Sequence, residues 1–213
     1  MYHLHHVKPR PIFSTPLPYE SDIWNRDLTL DEQRRYLVSA PSGRGKSTFV
    51  HILYGLRSDY EGLVTYRGKP VLDTDDDTRA DWRQRQQSIV FQDLRLFPHL
   101  TGLQNLQVKM QLTQAPDEMR IRDYCSRLGI AGLLDQSAGT MSYGQQQRFA
   151  IVRALLQPFE ILLLDEPFSH LDADNTEAAG ALVEEVVSDQ EAAMILVSLG
   201  DRYGMEFDEE LVL

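Results

Sequence analysis

The chain has 213 residues, 42% hydrophobic and 25% charged, a composition of one folded core, or a core with a subdomain, and not of a disordered chain. Its net charge of −11 excludes the usual duplex nucleic-acid binder, which needs clustered Lys and Arg to neutralise phosphates. The single cysteine, Cys125, excludes an internal disulfide and fits a reducing compartment, while no apolar run approaches the ~20 residues of a membrane span and "MYHLHHVKPRP" lacks a signal-peptide core.

In chain order, "HLHH" (3–6) has no Cys or acidic residue at metal-ligand spacing along the sequence and reads as a solvated strand face. "RRYLVSA" (34–40) reads as a buried strand, and "KSTFVHILYGL" (46–56) as a helix that starts inside a glycine loop. "GLVTYRGKPV" (62–71) alternates like a hairpin turning at "RGK". "DTDDD" (73–77) lacks the glycine and terminal Glu of a calcium loop, so it reads as an acidic lead-in to a polar helix through 87. "SIVFQ" (88–92) is a short strand. From Asp93 to Thr140 the texture becomes helical, with Cys125 as a small packed hydrophobe. "SYGQQQRFAIVRALLQP" (142–158) is a helix ended by Pro158. "EILLLDEP" (160–167) and "AAMILVSL" (192–199) are buried strands around the helix 174–190, and "FDEELVL" (207–213) is one last strand. Strands alternating with helices predict a parallel α/β sheet. The helical block at 93–140 is expected to be a subdomain, with 1–92 and 141–213 forming the core.

Residues Ala40, Pro41, Ser42, Gly43, Arg44, Gly45, Lys46 and Ser47 fit a phosphate-binding loop: Ala or Gly, four residues, then Gly-Lys-Ser, between a strand and a helix. Gly43 and Gly45 let successive backbone N–H groups turn toward phosphate oxygens at a helix N-terminus. Lys46 supplies a charge to the β- and γ-phosphates, the Ser47 hydroxyl suits a Mg²⁺ shell, and Thr48 can reach the α-phosphate. A glycine-rich surface turn would explain the glycines, but not the strand, spacing, lysine and serine together. In "ILLLDEP", Asp165 and Glu166 close a buried strand, where ligands of open α/β sheets gather. Asp165 suits the metal, and Glu166 can orient and deprotonate an attacking water.

With "APSGRGKST" (40–48), "FQDLRLFPHLT" (91–101) and "LLLDEPFSHLD" (162–172), the segment "MSYGQQQRFAIVRALL" (141–156) resembles the ATP-binding subunits of ABC transporters over nearly the whole chain. The resemblance implies an α/β P-loop NTPase (RecA-like) core with an antiparallel β portion and a helical subdomain. It implies ATP and Mg²⁺ as cofactors, a transmembrane permease as partner, and a homodimer or paired ATP-binding subunit. It also implies a place in the cytoplasm on the inner face of the membrane. Gln92 becomes the glutamine that senses Mg²⁺ and water and couples to the permease. Ser142, Tyr143, Gly144 and Gln145 occupy the signature motif, which in the family meets the nucleotide of the opposite subunit head to tail. Ser142 suits a helix cap facing a phosphate, and Gly144 a close backbone approach. Tyr143 stands where the family has glycine, and Ser169 to Asp172 match the loop that links the two sites. "RQRQQSIVFQDLRLFPHLTGLQNL" (83–106) looks most like the lipoprotein-release and macrolide-export subgroup.

The chain departs from the family at Leu199, where a histidine is expected after the last core strand; leucine cannot hydrogen-bond a γ-phosphate. The resemblance therefore also admits a slow ATPase acting as a regulatory switch on a membrane partner. His170 is not an obvious replacement. Adenine stacking falls to Phe13, with Tyr19 and Trp24 as options, against a plain core role. Leu94, Leu96, Phe97 and Leu100 cluster beside Gln92 as a docking patch or a buried anchor.

Overall fold

The computed structural model describes residues 1–12, 20–113 and 118–213. The chain enters through β1 (Tyr2–Pro9) and β2 (Asp27–Leu30), then β3 (Arg35–Ser39) and helix α1 (Lys46–Leu53) on either side of the glycine loop. The hairpin of β4 (Tyr60–Tyr66) and β5 (Lys69–Pro70) turns at Arg67 and Gly68, both at positive φ (51° and 78°), the backbone a two-residue hairpin loop asks for. Helix α2 (Asp76–Arg85) is capped by Asp75, whose carboxylate accepts from the Thr78 N–H, so the acidic run is a helix lead-in. Strand β6 (Gln87–Val90) is followed by α3 (Gly102–Thr113) and α4 (Glu118–Arg127). Helix α5 (Tyr143–Leu155), β7 (Ile161–Asp165), α6 (Ala173–Asp189), β8 (Ala193–Ser198) and β9 (Glu209–Val212) complete the chain.

Two sheets form. One is antiparallel, ordered β2-β1-β4-β5; the other is wholly parallel, ordered β6-β7-β8-β3-β9. The parallel strands are apolar on both faces, as a sheet covered on both sides requires. Leu37, Leu162, Leu164, Met194 and Leu196 face one core, with α4, α5 and α6. Val38, Ile161, Leu163, Ile195 and Val197 face the other, with α1 and the antiparallel sheet. Within β1 a bulge between His5 and Lys8, with His6 at φ 47°, keeps Leu4 and Val7 both inward. Across from it only glycine fits: a Cβ on Gly62 would lie 2.5 Å from the His5 and His6 carbonyl oxygens.

The second half of the segment between β6 and α3, from Phe97 to Thr101, is held by one helix side chain. Asn105 is fully buried. Its amide donates to the carbonyls of Phe97 (3.1 Å) and Thr101 (3.0 Å), and its oxygen accepts from the Phe97 N–H (2.8 Å). Asn105→Ala is expected to orphan the Phe97 N–H, while the two carbonyls keep the Leu100 and residue-105 N–H groups (3.1 and 3.0 Å), and to cost about 2 kcal/mol, a Tm lower by roughly 4–8 °C. A calorimetric Tm unchanged within 1 °C (about 0.4 kcal/mol) would show the loop holds itself.

Candidate nucleotide site

Strands β6, β7 and β3 run parallel in one sheet, with β8 between β7 and β3, so their carboxyl ends open at a single edge. After β3 the chain makes the glycine loop, with Gly43 at φ 78° and Gly45 at φ 97° as the N-terminal cap of α1. No side chain caps α1, which leaves its first N–H groups to an anion. A side chain at Gly45 would be strained by the φ of 97° and would displace the tip of Ile12. Lys46 is buried; its ammonium donates to the Ala40 carbonyl at 2.9 Å and pairs with Glu166 at 3.1 Å. The loop thus closes over its own lysine.

Asp165 and Glu166 follow from the end of β7. Asp165 is 1% exposed, and neither carboxylate oxygen has a hydrogen-bond partner among the described residues. Burial pushes its pKa up to about 6; the nearby Ser47 hydroxyl, whose proton goes to Gln92 and not to Asp165, and Lys46 pull the other way, while Glu166 adds to the rise. Glu166 holds φ 49°, a conformation rare for a side-chain-bearing residue and typical of functional positions. Gln92 bridges the two loops: its amide oxygen accepts from the Ser47 hydroxyl (3.1 Å), and its amide nitrogen donates to Glu166 (3.4 Å). Ser47, His51, Gln92, Asp93, Tyr143 and Asp165 line a cavity of about 430 Å³.

Ser142 caps α5 through a reciprocal pair with Gln145: its hydroxyl accepts from the Gln145 N–H at 3.3 Å, and its own N–H donates to the Gln145 side chain at 2.9 Å. The hydroxyl proton remains available, whereas the Gln145 amide oxygen is engaged in the cap. The close approach at Gly144 is to this same chain, since a Cβ there would lie 3.0 Å from the His170 carbonyl. Of the four signature residues only Tyr143 lines the cavity with Ser47 and Asp165. A groove of about 840 Å³ lies on another side of Glu166, lined by Leu199, Asp201, Tyr203 and residues of α6.

A family model described as ABC transporter matches residues 24–169. The chain belongs to the ABC transporter family. It is 35% identical over 190 residues to the thiamine import ATP-binding protein ThiQ of Cereibacter sphaeroides, covering 88% of this chain and 80% of that one. With the glucose import ATP-binding protein GlcV of Saccharolobus solfataricus it shares 32% identity over 206 residues, 88% of this chain but 56% of the relative. It therefore spans just over half the length of GlcV. A solved structure titled as the dimeric post-hydrolysis state of the ATP-binding cassette MJ0796 bound to ADP and Pi superposes with TM-score 0.79 at 26% identity, over 94% of this chain and 88% of that one. The protein is thus an ATP-binding subunit of the ABC transporter type, an ATPase by family. The expected nearness to lipoprotein release and macrolide export is not supported, since these relatives are import proteins.

The structure moves other expectations of this ABC subunit. Trp24 is no adenine platform: it is 2% exposed and packs edge-on against Phe49 at 6.0 Å. Phe13 and Tyr19 lie outside the described residues. Thr48 is within 3.4 Å of the Arg57 guanidinium. Leu94 is buried in the core and Leu96 packs against it, leaving Phe97 the exposed member of the apolar cluster. Cys125 is buried, its thiol pushed up to about 12 by that burial. His5, His6 and Asp27 bring ligand atoms within 4.8 Å of one another on an exposed face, Asp27 arriving from β2 where chain spacing gives no sign of it. Gln147 went unnoticed in the sequence. It is 1% exposed, donates to the Glu166 carbonyl (3.3 Å) and accepts from the His170 N–H (3.2 Å). Its signal was a glutamine one turn before Ala150 and Ile151 on the apolar face of α5.

Asp165 sets a pH signature. Its raised folded pKa means that the unfolded carboxylate ionises first, so its contribution turns unfavourable between about pH 4 and 6 and is fully unfavourable above. Without metal or nucleotide, Asp165→Asn is expected to stabilise the protein at pH 7.5 by up to about 3 kcal/mol. The gain should vanish near pH 4. A thermal-shift difference independent of pH would contradict the buried, unpaired carboxylate.

Proposed function

We propose that this cavity binds MgATP, and that hydrolysis there drives an import permease. One observation carries the reading: a buried carboxylate with no partner, Asp165, lies with the Ser47 hydroxyl and the Gln92 amide at one cavity, beside a lysine and a glycine loop. Oxygen donors of this kind suit Mg²⁺, and Asp165, Ser47 and Gln92 would hold it. When bound, the ion neutralises charge on the phosphates.

The residues then divide the work. Backbone N–H groups from Ser42 to Thr48, aided by the dipole of α1, bind phosphate oxygens. Lys46 exchanges its contact with Glu166 for a phosphate, which frees that carboxylate. Glu166 orients a water and takes its proton as the water oxygen bonds to the γ-phosphorus and the bond to the bridging oxygen breaks, its electron pair leaving with ADP. Ser142 donates its hydroxyl proton to the phosphate of a second cassette, with Tyr143, Gly144 and Gln145 forming that turn. The relatives' names as import proteins and the dimeric cassettes among the structural neighbours support this arrangement. Residues 93–140 form the helical subdomain against a core of 1–92 and 141–213. The exposed Phe97 beside the Gln92 loop contacts the permease, which brings the protein to the inner face of the membrane. No helix among the described residues is long and apolar enough to cross it.

A second reading, a slow ATPase acting as a nucleotide-dependent switch, is favoured by Leu199. This side chain is 62% exposed and lines the groove beside Glu166. Its loop is built as a turn of its own: Ser198 Oγ accepts from the Gly200 N–H (3.0 Å) and donates to the Asp201 carbonyl (2.9 Å), and Tyr203 packs edge-on against Phe168 at 4.9 Å.

Two measurements test these readings. Lys46→Ala should weaken ATP binding at least ~tenfold by calorimetry; unchanged affinity would remove the site. Leu199→His should raise turnover by ~tenfold or more, with ATP affinity unchanged. A wild-type rate that the substitution does not alter would mean that another group serves the γ-phosphate.

A further inference from the structure

Helix α5 holds the Gln92 loop at two points. At its first turn, the Tyr143 hydroxyl donates to the Gln92 carbonyl at 2.7 Å, and its ring lies against the His170 ring at 4.4 Å between centroids. Near its last turn, the Arg153 guanidinium donates to the carbonyls of Leu94 (2.6 Å) and Arg95 (2.7 Å). The loop needs such support, because Leu94 and Arg95 both hold positive φ, 58° and 47°, and strained backbone persists only where its surroundings over-determine it. Gln92 is consequently gripped twice. Its backbone is fixed by α5, and its side chain reaches Ser47 and Glu166.

We infer that Tyr143 is a positioning residue for Gln92, tying the signature turn to the metal-facing glutamine within one chain. A glycine, which the family has at this position, offers no hydroxyl for the bond. Because Ser142 precedes Tyr143 directly, a displacement of the signature serine pulls on the Gln92 carbonyl in the same subunit. The two ends of the cavity are thereby coupled without a second cassette. What Gln92 acts on rests on the MgATP reading above; the tie itself does not.

The test uses the full chain carrying Tyr143→Phe, which keeps the ring against His170 and removes only the hydroxyl, with Tyr143→Gly as the second variant. Tyr143 is 41% exposed, so both are expected to fold. Without nucleotide, hydrogen exchange at the amides of Leu94 and Arg95 should quicken about fivefold in the Phe variant, the factor expected for one lost hydrogen bond. With MgATP, turnover should fall and the half-saturating Mg²⁺ concentration rise about threefold or more, while the KM for ATP stays within about twofold. Exchange equal to wild type would make Tyr143 a packing ring only and overturn the inference. Faster exchange with unaltered Mg²⁺ dependence would overturn the positioning role. If wild-type protein failed to bind ATP by calorimetry, the MgATP reading would fall instead, and the exchange result alone would decide whether the tie exists.

Discussion

A buried ammonium cannot be left without partners in a protein interior, and the position of Lys46 makes that demand at the centre of this fold. It is met from two directions: the Ala40 carbonyl just beyond β3 and the Glu166 carboxylate just beyond β7. These two strands are not neighbours, since β8 lies between them. One cation therefore ties together loops that follow separate strands of the parallel sheet. The glycines of the loop, the exposed end of α1 and the strained backbone at Glu166 all follow from bringing a lysine inward to that point.

The second layer of order comes from α5. Its apolar face, Phe149, Ala150, Ile151 and Ala154, belongs to the large core, and the same helix sends polar side chains to two functional loops and to the ends of two neighbouring helices. Gln147 reaches the carbonyl of Glu166 and the N–H of His170, Tyr143 reaches the Gln92 loop, and Arg148 donates to the carbonyl of Leu128 and to Asn175 at 2.8 Å each. The helix is thus both a packing element and a hub. Arg153 shows the cost of that arrangement: burial lowers its pKa to about 10, and the carbonyls of the Gln92 loop compensate its charge.

Local chemistry made much of this readable in advance. A loop of fixed spacing between an apolar strand and a helix can be recognised in one dimension, and so can two acids at the end of "ILLLD". The hairpin was legible because Arg67-Gly68 has the composition its turn needs. Contacts between distant segments were not. That Gly144 is small to admit its own His170 carbonyl, that Trp24 is buried against Phe49, and that Tyr143 turns toward Gln92 depend on which loops the sheet order brings together. The pairing of β1 with both β2 and β4 was equally hidden, because strand composition fixes a face but not a neighbour.

The left-handed backbone of Glu166 has a consequence for how the chain tolerates change. A non-glycine residue there stores roughly 1 kcal/mol or more, and the buried strand that ends at Asp165 just before it, with Pro167 just after, leaves little freedom to relax it. Substitution by glycine or asparagine would release that strain. Variants selected for heat resistance alone would therefore drift toward losing the acid, so a thermostable form of this subunit that keeps its glutamate must draw its stability from elsewhere in the sheet and its covering helices.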